Sequence, residues 1–202
     1  SRRQYMKLAE CARDWQAHIK PEDVCPVIQL PSTFEEYMNL LDGRERRETQ
    51  RKMRRAAEDS AITFASDPAR LDADMSDFLR LMVASMVTKS GFMTPRMEQF
   101  FRAMAKDMLA AGYLQLAFLE VEGNRAAAYL NFVYDNAVLV YNSGLDPQKY
   151  SYLSPGVVLI ARLIEKAIAE KRRAFDFLQG NEEYKYRLGG KDVAVFTLAI
   201  GR

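Results

Sequence analysis

The sequence predicts an α+β fold in which helices flank one central, mostly antiparallel sheet. In several long segments, hydrophobic residues recur at spacings of three and four, which indicates amphipathic helices. From Gly112 onward the hydrophobic period changes to two, which indicates strands. Strands cluster together and alternate with helices, an order that is typical of α+β domains.

The composition is that of an ordinary globular domain. The 202 residues include 29 lysines and arginines and 27 acidic residues, so the formal net charge is +2. Hydrophobic residues make up 49%, a balance that excludes disorder as the main state. No run approaches the roughly 18 uncharged apolar residues of a membrane helix, and no signal peptide opens the chain. We therefore expect a cytoplasmic protein with one full domain and an extra segment.

Cysteine and histidine usage argues against a metal centre. Cys11 and Cys25 lie fourteen positions apart, and His18 is the single histidine of the chain. This spacing matches no zinc framework, so two reduced thiols and no metal are expected. A Ser-His-Asp site is also disfavoured, because His18 lies in a stretch of charged residues.

The first part of the chain is predicted to contain a helix over residues 1–20, closed by Pro21, and a short β-rich connector over residues 25–30. We place a domain boundary near residue 31, which separates residues 1–30 from a main domain of residues 31–202. Ser32 and Glu35 have capping-box spacing and predict the start of a helix. Gly43 is expected to break or kink that helix.

Residues 44–58 form the one strongly basic segment of the chain. Its cations are Arg44, Arg46, Arg47, Arg51, Lys52, Arg54 and Arg55, against the acids Glu45, Glu48 and Glu58. The simpler interpretation is a solvated helix face, and the alternative is a patch that meets a phosphate-bearing substrate or carrier. Because aromatic interleaving and a groove-reading motif are missing, no DNA partner is predicted.

Regular elements follow to the end of the chain. They are a strand over 61–65, helices over 71–87 and 95–111, strands over 114–121, 126–134 and 137–141, a helix over 154–171, a strand over 174–178, a helical turn over 181–187 and a strand over 193–200. The turns Glu122-Gly123-Asn124 and Asp135-Asn136 join three of these strands into an antiparallel meander.

The segment before the long helix is suited to binding an anion. Ser154 is a good N-cap, Pro155 suits the first helical position, and Gly156 permits close approach to the backbone. Free amides and the positive end of the helix dipole at this point would favour a pyrophosphate. Plain helix capping explains the same residues equally well.

A second cluster holds groups that exchange protons. Asp176 lies on a predicted strand that leads through Gly180 to Glu183, Tyr184 and Lys185. A carboxylate, a phenol and an amine can act as acids or bases when burial and neighbouring charges shift their pKa values. A Glu–Lys pair on an exposed turn is also commonplace, so this cluster alone is weak evidence.

Taken together, the element order, SPGVVL at 154–159 and FDFLQGNEEYKYRLG at 175–189 resemble the GNAT acyltransferase superfamily, in its CelD-like and Fem-type (FemAB-like) branch. The resemblance covers residues 25–202. The segments CPVIQLPSTFEEYMNLL and QRKMRR are also similar to the start of the second GNAT unit in proteins of that branch. It implies a GNAT-like fold. Since such proteins often carry two units in tandem, residues 1–30 are expected to be the remnant of an upstream unit.

The resemblance also implies a donor site. In GNAT proteins, backbone amides at the helix start hold the pyrophosphate of coenzyme A, which places Ser154, Pro155, Gly156 and Val157 in that role. The single-glycine sequence SPG replaces the usual Q/R-x-x-G-x-G/A loop. The strand through Val140, Tyr141 and Asn142 would offer a backbone amide to the thioester carbonyl.

By position in the family pattern, four residues are catalytic candidates. Tyr184 would protonate the leaving thiolate, Asp176 or Glu183 would act as base, and Lys185 would hold an anionic part of donor or acceptor. Lys185 and Tyr184 are favoured over the carboxylates. The alternative is that Glu183, Tyr184 and Lys185 only tie a short helix to the sheet edge.

The leading hypothesis is a GNAT-type N- or O-acyltransferase that moves an acyl group from acyl-CoA, most simply acetyl-CoA, to a small molecule or a cell-envelope or polysaccharide precursor. One alternative is a non-catalytic GNAT-like module within a polysaccharide synthesis or export complex. Another is a Fem-type transferase with aminoacyl-tRNA as donor, whose binding would depend strongly on salt. In these cases residues 44–55 would line the rim of the site for coenzyme A phosphates, tRNA or an anionic glycan.

Overall fold

One sheet of seven strands organises the part of the chain that the structure describes, residues 16–85 and 93–201 of a computed structural model. The strands lie in the spatial order β2-β3-β4-β5-β6-β1-β7. Their bounds are β1 (Gln16–Gln29), β2 (Ser60–Phe64), β3 (Leu114–Val121), β4 (Asn124–Tyr134), β5 (Ala137–Leu145), β6 (Ala174–Asp176) and β7 (Lys191–Gly201).

Within the described ranges, six helices accompany the sheet. They are α1 (Phe34–Leu40), α2 (Gly43–Ala56), α3 (Leu71–Ala84), α4 (Pro95–Ala110), α5 (Pro155–Ala169) and α6 (Glu183–Arg187). α1, α2 and α5 share a core that includes Tyr37 and Phe175. α3 and α4 pack on the opposite face, in a core that includes Phe78 and Phe101. The predicted α+β class is confirmed.

The predicted meander is also confirmed. β3, β4 and β5 pair in antiparallel fashion, and β5 then pairs with β6 in parallel. The first turn places Glu122 at φ 51° and Gly123 at φ 76°, and the second places Asp135 at 46° and Asn136 at 55°. Two successive residues in the left-handed region produce the twist that a tight hairpin needs.

The predicted helix over residues 1–20 is wrong where it can be compared. Residues 16–20 belong to β1, where Ile19 lies opposite Leu198 of β7, whereas residues 1–15, including Cys11, lie outside the described part. Pairing with a strand at the far end of the chain overrides the local pattern. Pro21 lies in the strand beside a register shift instead of ending a helix.

The connector predicted over residues 25–30 is largely the second half of the same strand, since β1 hydrogen bonds to both β6 and β7. Cys25 is a free thiol there. The division of the chain near residue 31 and the origin of residues 1–30 in an upstream unit stay predictions. The end of the helix predicted over 71–87 lies outside the described residues.

The helix starts differ in detail from the predictions. The capping box uses Thr33 and Glu36 instead of Ser32 and Glu35: the Thr33 hydroxyl accepts the Glu36 amide at 3.1 Å, and the Glu36 carboxylate accepts the Thr33 amide at 3.2 Å. Both pairs have the same spacing, so the sequence alone does not choose between them. The break near Gly43 is confirmed, because α1 ends at Leu40 and Gly43 opens α2.

Candidate functional site

The site begins where β5 and β6 part. Their parallel register runs only from Ala137–Ala174 to Leu139–Asp176, so residues 140–145 of β5 continue beyond the end of β6. β6 ends because Asp176 Oδ1 accepts the Leu178 amide at 2.7 Å and Leu178 turns to φ 55°. The chain after β6 bends toward β1, where the Phe177 amide donates to the Pro26 carbonyl at 3.0 Å.

A cavity of about 310 Å³ fills this opening, and we call it the gap cavity. One wall is residues 140–143 of β5, and the other is formed by residues 177–179 and the start of α6. Tyr141 is the extra residue of a β-bulge, since Asn142 pairs with Leu130 and Val140 with Asn131. A bulge frees backbone groups from the ladder. Tyr141 therefore lies in the part of β5 that was predicted to offer a backbone amide to the thioester carbonyl of the donor.

The Tyr141 side chain packs against two other aromatic rings. Its ring lies 5.3 Å from that of Phe132 and 6.0 Å from that of Phe101, measured between centroids. Such offset aromatic pairs contribute about 0.5–1.5 kcal/mol each. The packing fixes the ring against α4 and leaves the bulged backbone at the cavity wall.

A second cavity of about 270 Å³ lies between α2, the start of α5 and α6, and we call it the helix cavity. Gly156 and Val157 of α5 line it together with Tyr129 of β4 and Leu188 after α6. The residues that it shares with the gap cavity are Ser143 and Tyr184. The structure thus brings the predicted donor residues Gly156 and Val157 into one cavity with the predicted acid, Tyr184.

Tyr184 occupies the junction of the two cavities. Its ring packs edge-on against Phe177 at 6.1 Å, and 39% of the residue remains exposed. Burial of the phenol, followed by the nearby Glu182 carboxylate, raises the pKa of Tyr184 to about 12. The phenol therefore carries its proton throughout the neutral range, as a general acid requires.

Sequence reasoning missed Tyr129 and Ser143. They lie opposite each other on β4 and β5, and both line the helix cavity. Burial, followed by the neighbouring Tyr184, raises the pKa of Tyr129 far above its ordinary value. Only the strand register brings this hydroxyl pair together, and register depends on pairing that one segment does not show.

The start of α5 offers fewer free amides than predicted. Ser154 is the N-cap residue of α5 and Pro155 opens the helix, as predicted, but Ser154 is at φ 52° and ψ 54° and its side chain makes no capping hydrogen bond. The Ser154 amide donates to the Ser151 carbonyl and the Val157 amide to the Ser154 carbonyl, both at 3.0 Å, while Pro155 has no amide hydrogen. Among these four residues, Gly156 has the one amide without a hydrogen-bond partner in the described structure.

Gly156 is also sterically close to the neighbouring strand. A Cβ added there would lie 3.1 Å from Leu145 Cδ2, which lines the same cavity. Charged groups of both signs line this cavity: Lys52 of α2 and Arg187 of α6 are cationic, and Glu45 and Glu48 of α2 are anionic. The Arg187 guanidinium already contacts the Glu183 carboxylate at 2.7 Å, whereas Lys52 has no ion pair within the described ranges.

Lys185 is buried, with 3% of the residue exposed. Its Nζ donates to the carbonyls of Leu178, Gln179 and Gly180 at 3.4, 3.0 and 3.2 Å, and it contacts the Glu182 carboxylate at 2.8 Å. An ammonium has three protons, so these partners occupy all of them. The geometry gives Lys185 a role in holding the 178–180 loop, and its predicted contact with an anion of the substrate stays a prediction.

The two carboxylates predicted as bases lie apart from each other. Asp176 accepts the Leu178 amide, and its pKa is raised by burial and lowered in part by that hydrogen bond and by Lys185. Glu183 points to solvent, with 79% of its side chain exposed, and pairs with Arg187. Neither carboxylate lines the two cavities described above. Their catalytic roles stay predictions.

The described residues contain no cluster of three or more histidine, cysteine or acidic side chains with metal-site geometry. None of the helices in the ranges searched has the length and apolar character needed to cross a bilayer.

A family model matches most of the chain. The family model of the acetyltransferase (GNAT) domain matches residues 43–186, a range that includes the gap cavity and nearly all of the helix cavity. No curated protein matches the chain.

Three solved structures share the fold at low sequence identity. The crystal structure of FemX matches with a TM-score of 0.72 and 10% identity over 94% of this chain. A conserved protein of unknown function from Bacteroides thetaiotaomicron matches with a TM-score of 0.69 and 12% identity over 100% of this chain. L-PGS from Bacillus licheniformis matches with a TM-score of 0.66 and 10% identity over 97% of this chain. These matches cover 65%, 67% and 64% of the respective structures, so the chain spans about two thirds of their length.

Proposed function

The chain belongs to the acetyltransferase (GNAT) domain family, and on that premise we propose that it transfers an acyl group from acyl-CoA to an amine or a hydroxyl. The observation that carries the proposal is the joining of the gap cavity and the helix cavity at Ser143 and Tyr184. Two neighbouring cavities that share lining residues suit a long, thin donor with an anionic end.

The donor is proposed to lie with its diphosphate toward Gly156 and its thioester toward the bulge at Tyr141. The unpartnered Gly156 amide stands at the positive end of α5, which attracts an anion. Lys52 and Arg187 also line this cavity and can contact the diphosphate, beside Glu45 and Glu48. The backbone freed by the bulge would then donate to the carbonyl oxygen as negative charge develops during transfer.

Tyr184 is proposed as the acid that protonates the leaving thiolate. The phenol is protonated at neutral pH and therefore has a proton to give. The C–S bond of the thioester breaks as the acceptor nitrogen or oxygen forms its bond to the acyl carbon. The Tyr184 proton goes to sulfur, and the proton that the acceptor loses restores the Tyr184 phenol. Lys185 acts as a positioning residue, because it fixes the loop that forms one wall of the gap cavity.

The acceptor is proposed to be a cell-envelope or polysaccharide precursor and the location the cytoplasm. The fold that the chain shares with FemX and L-PGS supports this acceptor class. A second candidate donor is aminoacyl-tRNA, which the unpaired cations of α2 favour: Arg44, Arg47 and Arg54 have no ion-pair partner among the described residues. A non-catalytic module is the third candidate.

Calorimetric titration with coenzyme A, acetyl-CoA, longer acyl-CoAs and aminoacyl-tRNA separates these candidates. We expect saturable binding of acyl-CoA that is lost in Gly156→Glu, which places a carboxylate beside the anion site. Gly43→Glu is the matched control, because it adds the same charge at the start of α2, at a residue that lines neither cavity. Binding of aminoacyl-tRNA alone, or of none of these donors, would overturn the proposal.

A further inference from the structure

One side of α2 carries a continuous row of arginines, which we call the arginine stripe. Residues that recur at intervals of three and four lie on the same side of a helix. On the side of α2 that faces away from the core, the exposed residues at these intervals are Arg44, Arg47, Arg51, Arg54 and Arg55. Thr49, Met53 and Ala56 are buried on the other side. The stripe therefore faces solvent along the length of the helix.

α2 is far more basic than the rest of the chain. It carries seven cations and two carboxylates, a net charge of +5, whereas the whole chain has a net charge of +2. All other residues together are therefore net negative. Both carboxylates of α2 already have a cation nearby, since Glu48 contacts Arg51 at 2.7 Å and Glu45 lies 4.0 Å from Arg187. Three arginines of the stripe make no ion pair within residues 16–85 and 93–201, namely Arg44, Arg47 and Arg54.

The charge pattern of the stripe is unfavourable for the helix itself. Arg47 lies three positions from Arg44 and four from Arg51, so like charges are neighbours and repel one another. Arg44 also lies in the first turn, at the positive end of the helix dipole, where a cation is disfavoured. A surface that serves solubility alone usually mixes charges of both signs. An anionic partner would relieve this repulsion.

The residue types around the stripe favour a lipid surface as that partner. The stripe contains only arginine, whose guanidinium pairs with phosphate oxygens in a bidentate manner. Exposed apolar side chains lie beside both ends of α2. Leu40, which ends α1 just before α2, is 65% exposed. Tyr152, whose carbonyl accepts the Arg55 guanidinium at 3.0 Å, is 57% exposed. Apolar and aromatic side chains next to cations are typical of helices that lie at a bilayer surface.

We propose that the arginine stripe binds the surface of a membrane that contains anionic phospholipids. The guanidinium groups contact headgroup phosphates, and Leu40 and Tyr152 lie among the headgroups beside the two ends of α2. An RNA would pair with the same arginines but offers little apolar surface to an aliphatic side chain such as Leu40. The proposal does not depend on the acyltransferase assignment, because none of the five arginines lines the gap cavity or the helix cavity.

Co-sedimentation with lipid vesicles at constant ionic strength tests the proposal. We expect binding to vesicles of equimolar phosphatidylglycerol and phosphatidylcholine, and little binding to vesicles of phosphatidylcholine alone. The double variant Arg47→Gln/Arg54→Gln should bind the anionic vesicles about thirtyfold more weakly, because each cation at an anionic surface strengthens binding about fivefold. Leu40→Ser should weaken binding about threefold, because it removes an apolar contact with the lipid.

The matched control is Arg96→Gln/Lys106→Gln on α4. It removes the same charge from two exposed cations of a helix that packs on the other face of the sheet. This control should bind the anionic vesicles as the native chain does. Because glutamine is a good helix former, thermal melting should show that both double variants are folded. The difference in vesicle binding between them then reports the position of the charges and not their number.

Three results with vesicles would overturn the proposal: equal binding to the two kinds of vesicle, equal binding by the two double variants, or unchanged binding by Leu40→Ser. A mobility-shift assay with tRNA tests the other class of polyanion. Loss of tRNA binding in Arg47→Gln/Arg54→Gln, with vesicle binding that does not depend on these arginines, would make the stripe an RNA-binding surface and contradict the proposal.

Discussion

Tyr129 of β4 lies directly opposite Ser143 of β5, and both side chains line the cavity that Tyr184 also enters. The pair stands on the face of the sheet that α5 covers, next to Leu145, which approaches Gly156. The strand pairing thus fixes three hydroxyl groups around the junction of the gap and helix cavities. This arrangement gives the proposed reaction its acid and suggests the first prediction.

Replacing Tyr184 with phenylalanine should lower kcat for acyl transfer about 100-fold, because it removes the acid that protonates the thiolate. Donor affinity should change little, since the ring and its contact with Phe177 remain. Steady-state kinetics measures both values. Tyr186→Phe is the control, as its exposed hydroxyl contacts Asp192 and lines neither cavity. Equal kcat losses in the two variants would contradict the assignment.

Lys185→Met should lower the free energy of unfolding by about 2 kcal/mol or more, because the carbonyls of the 178–180 loop would lose their donor. Urea denaturation measures the loss. Arg187→Met, which removes only an exposed ion pair, should change stability by about 0.5 kcal/mol or less. If the Lys185→Met variant has the same free energy of unfolding as the native chain, the ammonium does not hold the loop.

Gly144→Ala should be severely destabilising, by about 3 kcal/mol or more. A Cβ at Gly144 would lie 2.2 Å from the backbone nitrogen of Met82, so α3 and β5 would have to separate. Gly43→Ala is the matched variant, because its Cβ would meet nothing closer than Arg47 Nη1 at 3.5 Å. It should stabilise α2 by about 0.5 kcal/mol. Thermal melting of both variants checks the contrast.

The free energy of unfolding of the Asp176→Asn variant should increase, relative to that of the native chain, as the pH rises. Burial raises the pKa of Asp176 in the folded state, so the folded chain binds the proton more tightly than the unfolded chain does. The native chain therefore loses stability between the ordinary aspartate pKa and the raised one, and asparagine removes this loss. Melting temperatures from about pH 3 to about pH 7 test it. A constant difference across this range would contradict the burial effect.

Sequence reasoning succeeded where the signal is local. The alternating strands around Glu122-Gly123 and the SPG start of α5 each lie within one short segment, and the structure contains both elements. The strand at residues 16–20 was missed, because its partner is β7 at the other end of the chain. Local periodicity carries no information about such a partner.

The same limit applies to the site. Gly156 and Tyr184 were identified from their segments, and the fold brings them to one cavity. The placement of Ser143 opposite Tyr129 depends on strand register. The contacts of Lys185 are with backbone carbonyl groups, which every residue carries, so the sequence does not mark them. Side-chain identity therefore revealed only part of the site.

Residue-resolved NMR of the chain titrated with coenzyme A tests the central claim most directly. The account predicts saturating amide shifts at Gly156, Tyr141 and Tyr184, which are lost in Gly156→Glu, and no shift at Gly123 of the β3–β4 turn, which lines neither cavity. Absence of saturable shifts at Gly156 and Tyr141, or the same shifts in Gly156→Glu, would contradict the assignment of these joined cavities as the donor site.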